Sequence, residues 1–241
     1  MSIVQRVVII LGALSIVAAC SGGGPKSYEA AINQEIIYGD MPSAGNRSEV
    51  LFDGRSWDWT IRDGTSSAWI VHTDGSVQAS GADAVSSREF GDFQLHLEFL
   101  CPVMAETQGQ ARANSGVYLH GRYEVQVLDS YGQEPAINGC GAIYSIAGPG
   151  VNASLPPGQW QSYDIVFRAP RYDDAGNTVE HARMTVHHNG KMIHNNQEIP
   201  HSTSNSQVGR ANLVSKEPQG IYLQEHGHPL EFRNIWLEEL R

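Results

Sequence analysis

No part of the chain sustains the 3.6-residue apolar spacing of an amphipathic helix, and short alternating runs recur instead. Phe93-Gln94-Leu95-His96-Leu97-Glu98-Phe99 is one, with Phe93, Leu95, Leu97 and Phe99 on one face. Others lie at Gly116 to His120, Tyr123 to Leu128, Tyr163 to Phe167, Ala182 to His187, Ile221 to Gln224 and Phe232 to Leu237. Turn signals separate them. Asp53-Gly54, Asp63-Gly64, Asp74-Gly75 and Ala175-Gly176-Asn177 each favour a tight reversal. His188-Asn189-Gly190-Lys191 carries the Asn-Gly pair of a two-residue hairpin between Met184–His187 and Met192–His194. From Val50 to Leu240 no long polar break interrupts the pattern and no internal repeat is apparent. Many short strands at this spacing predict one all-β domain, a sandwich or jelly roll of two antiparallel sheets.

The N-terminus has a different character. Met1 to Arg6 is weakly basic, and Val7 to Ala19 is apolar but too short to span a bilayer. It has the length of a signal-peptide core. Val17-Ala18-Ala19-Cys20 resembles a bacterial lipobox, which implies cleavage before Cys20 and lipidation of that residue. Residues 1–19 are thus expected to be a lipoprotein signal peptide, 20–47 a lipidated cysteine and flexible tether, and 48–241 the folded domain. Lipid chains at Cys20 would anchor the protein without a spanning helix. Ser21 after the cysteine points to an outer membrane, with the domain facing the periplasm.

Acids outnumber bases, 26 Asp and Glu against 16 Lys and Arg, with no basic cluster. Nucleic acid needs a positive footprint, so it is not an expected partner. Beyond Cys20 only Cys101 and Cys140 remain, and outside the cytoplasm they are either bridged or free. Neither lies in a C-x-x-C pair that would hold zinc.

Sorting strands by parity gathers polar residues. Opposite the apolar face of 93–99 lie Gln94, His96 and Glu98. Arg122, Glu124 and Gln126 oppose Val125 and Val127, and Tyr222, Gln224 and His226 oppose Ile221 and Leu223. A solvated face would account for any one of these residues. Three strands offering carboxylates, amides and imidazoles without a lysine favour a site, provided that the strands are neighbours. Glu98, Glu124, Gln126, Gln224 and His226 would then converge. Asn114-Ser115-Gly116 reads as a turn entering a strand, placed to deliver an amide beside Tyr118. Five tryptophans could stack on sugar rings, although in a sandwich most pack the core or its rim. His187-His188 and His226-Gly227-His228 lack a firm third zinc ligand. There is no G-x-S-x-G elbow and no P-loop.

Specific segments also carry a family resemblance. Leu51-Phe52-Asp53-Gly54, Asn114 to Leu119, Tyr123 to Ser130 and Cys140 to Tyr144 resemble the 3-keto-disaccharide hydrolase family. So do Pro156 to Asp164, His188-Asn189-Gly190, Leu223 to Gly227 and Phe232 to Trp236. The resemblance spans the domain and implies a concanavalin-like jelly roll acting on glycosides whose C3 hydroxyl has become a ketone. Glu225 stands where that family has Asp, and Leu100-Cys101 where it has Arg-Thr. More loosely, Glu124 to Asp129 resembles the E-x-D-x-x-E strand of laminarinase-type glycosidases, with Gln126 in place of the middle acid. Retaining hydrolysis needs two carboxyls about 5 Å apart. Gln126 therefore ranks it below keto-sugar chemistry.

A C3 ketone acidifies the C2 proton, so the expected chemistry is proton removal, loss of the C1 substituent and hydration. Glu124 or His226 is the candidate base and proton shuttle. Glu98 is a second acid/base group or a ligand for a divalent cation, which the Glu and His content permits without requiring. Gln126, Gln224, Asn114 and Arg122 are expected to hold sugar hydroxyls or the enolate, with Asp129, Tyr118 and Tyr144 as further substrate-binding candidates. A non-catalytic glycan-binding lipoprotein is the principal competing reading.

Overall fold

The structure, a computed structural model, describes residues 45, 47–203 and 220–240. All of these belong to one compact unit. The signal segment, Cys20 and the expected tether to residue 44 lie outside the described residues. Among the described residues no helix is long and apolar enough to cross a membrane.

The chain forms strands β1 (Glu49–Phe52), β2 (Ile70–Val71), β3 (Val77–Gln78), β4 (Ala84–Val85) and β5 (Phe93–Leu100). Then come β6 (Ser115–Leu119), β7 (Tyr123–Val127), β8 (Trp160–Arg168), β9 (Arg171–Tyr172) and β10 (Thr178–Glu180). The series ends with β11 (Ala182–His188), β12 (Lys191–Ile199), β13 (Tyr222–Leu223) and β14 (Glu231–Glu239). A large sheet has the order β12-β11-β8-β5-β14-β3-β2, with β1 also paired to β14. A smaller sheet has the order β4-β13-β6-β7, and β9 and β10 form a separate ribbon. Every pairing is antiparallel. This is the expected jelly-roll sandwich.

The alternating runs explain the interior. Phe93, Leu95, Leu97 and Phe99 from β5 meet Val117 and Leu119 of β6 and Val125 and Val127 of β7 in one buried cluster. Aromatic rings supply much of its area: Phe93 packs on Phe167 at 5.2 Å and Phe99 on Tyr163 at 4.8 Å. Tyr163 also ties the sheets together, donating its phenol proton across the interior to the Gln126 carbonyl at 2.7 Å. The predicted hairpin joins β11 and β12, and Asn189 (φ 51°) and Gly190 (φ 73°) both take the left-handed conformation that such a turn requires. Cys101 and Cys140 are free, buried thiols, and Cys140 Sγ lies 3.1 Å from the Tyr163 hydroxyl. The two halves of His187-His188 separate by parity. His188 is buried against Gln161 Oε1 at 3.0 Å, and burial depresses its imidazole to about 3.

The outer face of the large sheet holds a buried ionic cluster around Glu98. Arg233 Nε donates to its Oε2 at 2.7 Å and Asn234 Nδ2 to its Oε1 at 2.8 Å. A bulge in β14, where Asn234 adopts φ 48°, turns Asn234 toward β5. His96 stacks on Trp236 and bonds Asp164 through Nδ1 at 2.8 Å. Arg233 in turn lies over Trp160, 4.0 Å from the ring centre. Burial alone would depress the His96 imidazole, but Asp164 and Glu98 outweigh it and lift it to about 8. Burial likewise opposes the charge on Glu98, yet His96, Asn234 and Arg233 hold its carboxyl below the ordinary value.

Because the folded-state pKa of His96 exceeds its unfolded one, its contribution to stability is complete below pH 6.5 and fades as pH rises through about 8. His96→Gln removes that contribution. In thermal melts the Tm gap between wild type and variant is therefore expected to be wide near pH 6.5 and to shrink above pH 8.

Candidate active site

The expectation that Glu98 shares a cleft with Glu124 is corrected by the sheet order. β5 belongs to the large sheet, whereas β7 and β13 belong to the small one. Period-two alternation assigns a residue to a face of its own sheet but does not say which sheet that is. Glu98 therefore points outward on the far side of the sandwich, its oxygens occupied by Arg233 and Asn234. Nor is it part of a metal cluster: among the described residues no three His, Cys, Asp or Glu side chains converge as ligands.

The outer face of the small sheet does assemble most of the other candidates. The register aligns Val85, Tyr222, Tyr118 and Glu124 in one row across four strands. Segment 141–144 extends the sheet beyond β7, and the Tyr144 amide donates to the Glu124 carbonyl at 3.1 Å. A second row lies one step along. Gly116 faces Gln126, the Gln224 amide donates to the Gly116 carbonyl at 2.9 Å, and Asp83 follows as the next position before β4.

Glu124 lies at the centre of this face, only 3 % exposed. Tyr118 hydrogen-bonds its carboxyl and also accepts from Gln224 Nε2 at 3.3 Å. The Gln126 amide is oriented by its neighbours. With its nitrogen toward the carboxyl, it donates to Glu124 Oε1 at 2.9 Å and to the Ser115 carbonyl at 3.2 Å. With the amide turned the other way, the same nitrogen donates instead to Gln110 Oε1 at 3.1 Å and Asn114 Oδ1 at 3.2 Å. The Asn114 backbone amide donates to His228 Nδ1 at 3.1 Å, and His228 stacks beneath His226 with ring centres 6.0 Å apart. In the first orientation Gln126 thus bonds Glu124, the Asn114 backbone amide separately holds His228, and His226 stands exposed at the rim.

This arrangement sets the acidity. Burial raises the Glu124 carboxyl, the Tyr118 hydrogen bond opposes the rise and the charge of Asp83 adds to it, leaving the group at about 7. Burial and the Glu124 charge push the Tyr118 phenol far above its usual range, so it stays a proton donor. A carboxyl near 7 can accept and return a proton at neutral pH.

Two other expectations are corrected. Arg122 sits in the turn between β6 and β7, where alternation no longer holds. Its guanidinium lies over the Tyr123 ring, near His120 Nδ1 at 3.4 Å, and faces a groove of about 210 Å³ shared with Tyr172 and His201. Asp129 is buried and paired with Arg112, whose Nε donates to it at 3.0 Å, so it belongs to the scaffold of this loop.

Asp83 was not legible as a site residue. Its carboxylate accepts the Glu225 amide at 2.9 Å, fixing the loop that carries His226, and Arg62 approaches it at 3.5 Å. Burial raises its pKa despite both contacts. The preceding carbonyl, Ala82, accepts from Trp69 Nε1 at 2.8 Å. Trp57 is stacked between Trp69 and Trp59 at 5.5 and 4.7 Å, so this aromatic column is the footing of the Asp83 loop. The Asp-Gly turns flanking these tryptophans were visible in the sequence, but their approach to β13 was not.

A jelly roll with a sunken acid among phenols and amides is compatible with glycoside processing, and comparison with known proteins points to that class. Residues 47–238 match the 3-keto-alpha-glucoside-1,2-lyase-like domain, and the chain belongs to that family. A Parabacteroides distasonis structure described as a "putative glycosyl hydrolase" is 32 % identical, with TM-score 0.74, covering 92 % of this chain and all of its own. A second structure from that organism, with the same description, is 22 % identical with TM-score 0.54. It covers 81 % of this chain and all of its own, and shows the fold alone. No curated protein matches the chain.

Two substitutions should move Glu124 in opposite directions. Tyr118→Phe removes a hydrogen bond that favours the charged form, so the carboxyl midpoint rises above about 7; Asp83→Asn removes a neighbouring negative charge, so it falls. Carboxyl 13C NMR titration of the three proteins reads both shifts directly.

Proposed function

We propose that this protein cleaves glycosides carrying a ketone at C3, with Glu124 as the proton-transfer group. The observation behind this reading is the burial of that carboxyl among neutral hydrogen-bonding groups, which brings it to about 7. Proton abstraction beside a carbonyl needs a base of this kind, and membership of the 3-keto-alpha-glucoside-1,2-lyase-like family supports a keto-glycoside as the substrate.

In the proposed sequence Glu124 removes the proton on C2, and the electron pair of that C–H bond becomes the C2–C3 double bond of an enolate. The charge collects on the C3 oxygen, where O–H and N–H donors from Tyr118 and Gln224 can stabilise it. Collapse of the enolate restores the ketone, forms a C1–C2 double bond and breaks the bond from C1 to the glycosidic oxygen. That oxygen takes a proton from protonated Glu124 or from His226 at the rim. Water then adds across the unsaturated sugar, hydroxyl to C1 and proton to C2, and the sum is hydrolysis. Two-carboxylate retaining hydrolysis is less well supported. Gln126 is an amide, and Asp129, the other acid at the end of this strand, is held by Arg112.

Glu124→Gln keeps the shape and removes the base, so turnover of a 3-keto-glucoside is expected to fall by about 10²–10⁴-fold. Wild-type enzyme in D2O should place deuterium at C2 of the released sugar. Product without deuterium at C2 would rule out the elimination route. Glu98→Gln is expected to leave turnover within about threefold of wild type, since a distant structural charge enters no step.

Lipidation at Cys20 would hold the domain at the envelope surface, where secreted or imported glycosides pass. The test is fractionation of cells expressing Cys20→Ser, in which the domain should leave the membrane fraction.

A further inference from the structure

We propose that Gly116 is a positioning residue for Glu124: the missing side chain at this one place in the sheet forms the seat in which the carboxyl lies. This inference rests on the reading of Glu124 as the proton-transfer group. In the row that runs Asp83, Gln224, Gly116, Gln126, every position except Gly116 presents a polar side chain to the outer face. Glu124, on the neighbouring strand and one row away, leans into that gap. A Cβ built on Gly116 would stand 2.5 Å from Glu124 Oε1, 3.1 Å from its Cδ and 3.0 Å from Tyr118 Cε2.

The backbone does not explain the glycine. Gly116 lies inside β6 and is not among the residues with positive φ, so an L side chain fits its conformation. In a strand interior glycine weakens the sheet and commonly marks a close approach. Here the approaching atoms are the end of a carboxyl side chain and the edge of a phenol ring, both supplied by the site. Gln126 and Tyr118 then bond the carboxyl where it rests, which holds it down on the sheet and out of water. With any larger residue at 116 the carboxyl must lift from the sheet.

Gly116→Ala tests this with little risk to the fold, because the atom most crowded ends a flexible side chain. Two readings are needed. The first is the Glu124 carboxyl midpoint by 13C NMR without substrate. It should fall from about 7 toward the ordinary carboxylate range as the group leaves its buried seat, and a midpoint that stays or rises overturns the inference. The second is kinetic, on a 3-keto-glucoside. A displacement of about 1 Å can cost roughly 100-fold, so kcat should fall on that scale with KM nearly unchanged. In a Glu124→Gln background Gly116→Ala should add no further loss, and an additive loss overturns the inference. If the wild type does not turn over keto-glucosides, the proposed function fails. The titration still decides the role of Gly116.

Discussion

A carboxyl taken out of water becomes a weaker acid unless positive charge accompanies it. Both outer faces of this sandwich bury a glutamate, and they resolve the problem in opposite ways. Glu98 is surrounded by Arg233, Asn234 and His96, which hold its carboxyl below the ordinary value, and it serves as an anchor for β5 and β14. Glu124 is surrounded by a phenol and an amide, while Arg112 pairs with Asp129 and Arg62 with Asp83. Burial raises the Glu124 carboxyl to about 7, in the range that the proposed proton-transfer role would need. Two glutamates with the same intrinsic acidity are separated in role by whether a cation was allowed to follow them inward.

Much of the fold could be read from alternation and turns. β5, β7, β8 and β11 fall where apolar residues recur at every second position, and Asn189-Gly190 marks its hairpin. β2, β3 and β4 are two residues each, too short for any periodicity to show, and they form because longer strands offer them an edge. The site was legible to the extent that it depended on parity within one strand. Glu124 and Gln126 on β7, Tyr118 on β6 and Gln224 beside β13 share a face as their alternation requires.

What sequence could not supply was adjacency. The pattern around Glu98 is indistinguishable from that around Glu124, and only the pairing of β5 with β8 and β14 removes it from the site. Arg122 lay one step past the end of its strand, inside a turn that redirects it. Asp83 and Gly116 gave no chemical signal, one being an acid in a loop and the other a glycine after a turn-like Asn-Ser. Their parts emerge from what stands across from them.

The arrangement of β6 and β7 also divides labour within single strands. Val117, Val125 and Val127 face the interior and maintain the packing, while Gly116, Tyr118, Glu124 and Gln126 face the other way. Successive residues of one strand therefore answer to separate demands, and a change on the outward side leaves the jigsaw beneath it in place. Such a sheet can exchange the groups around its acid, and with them the sugars it accepts, without relearning how to fold.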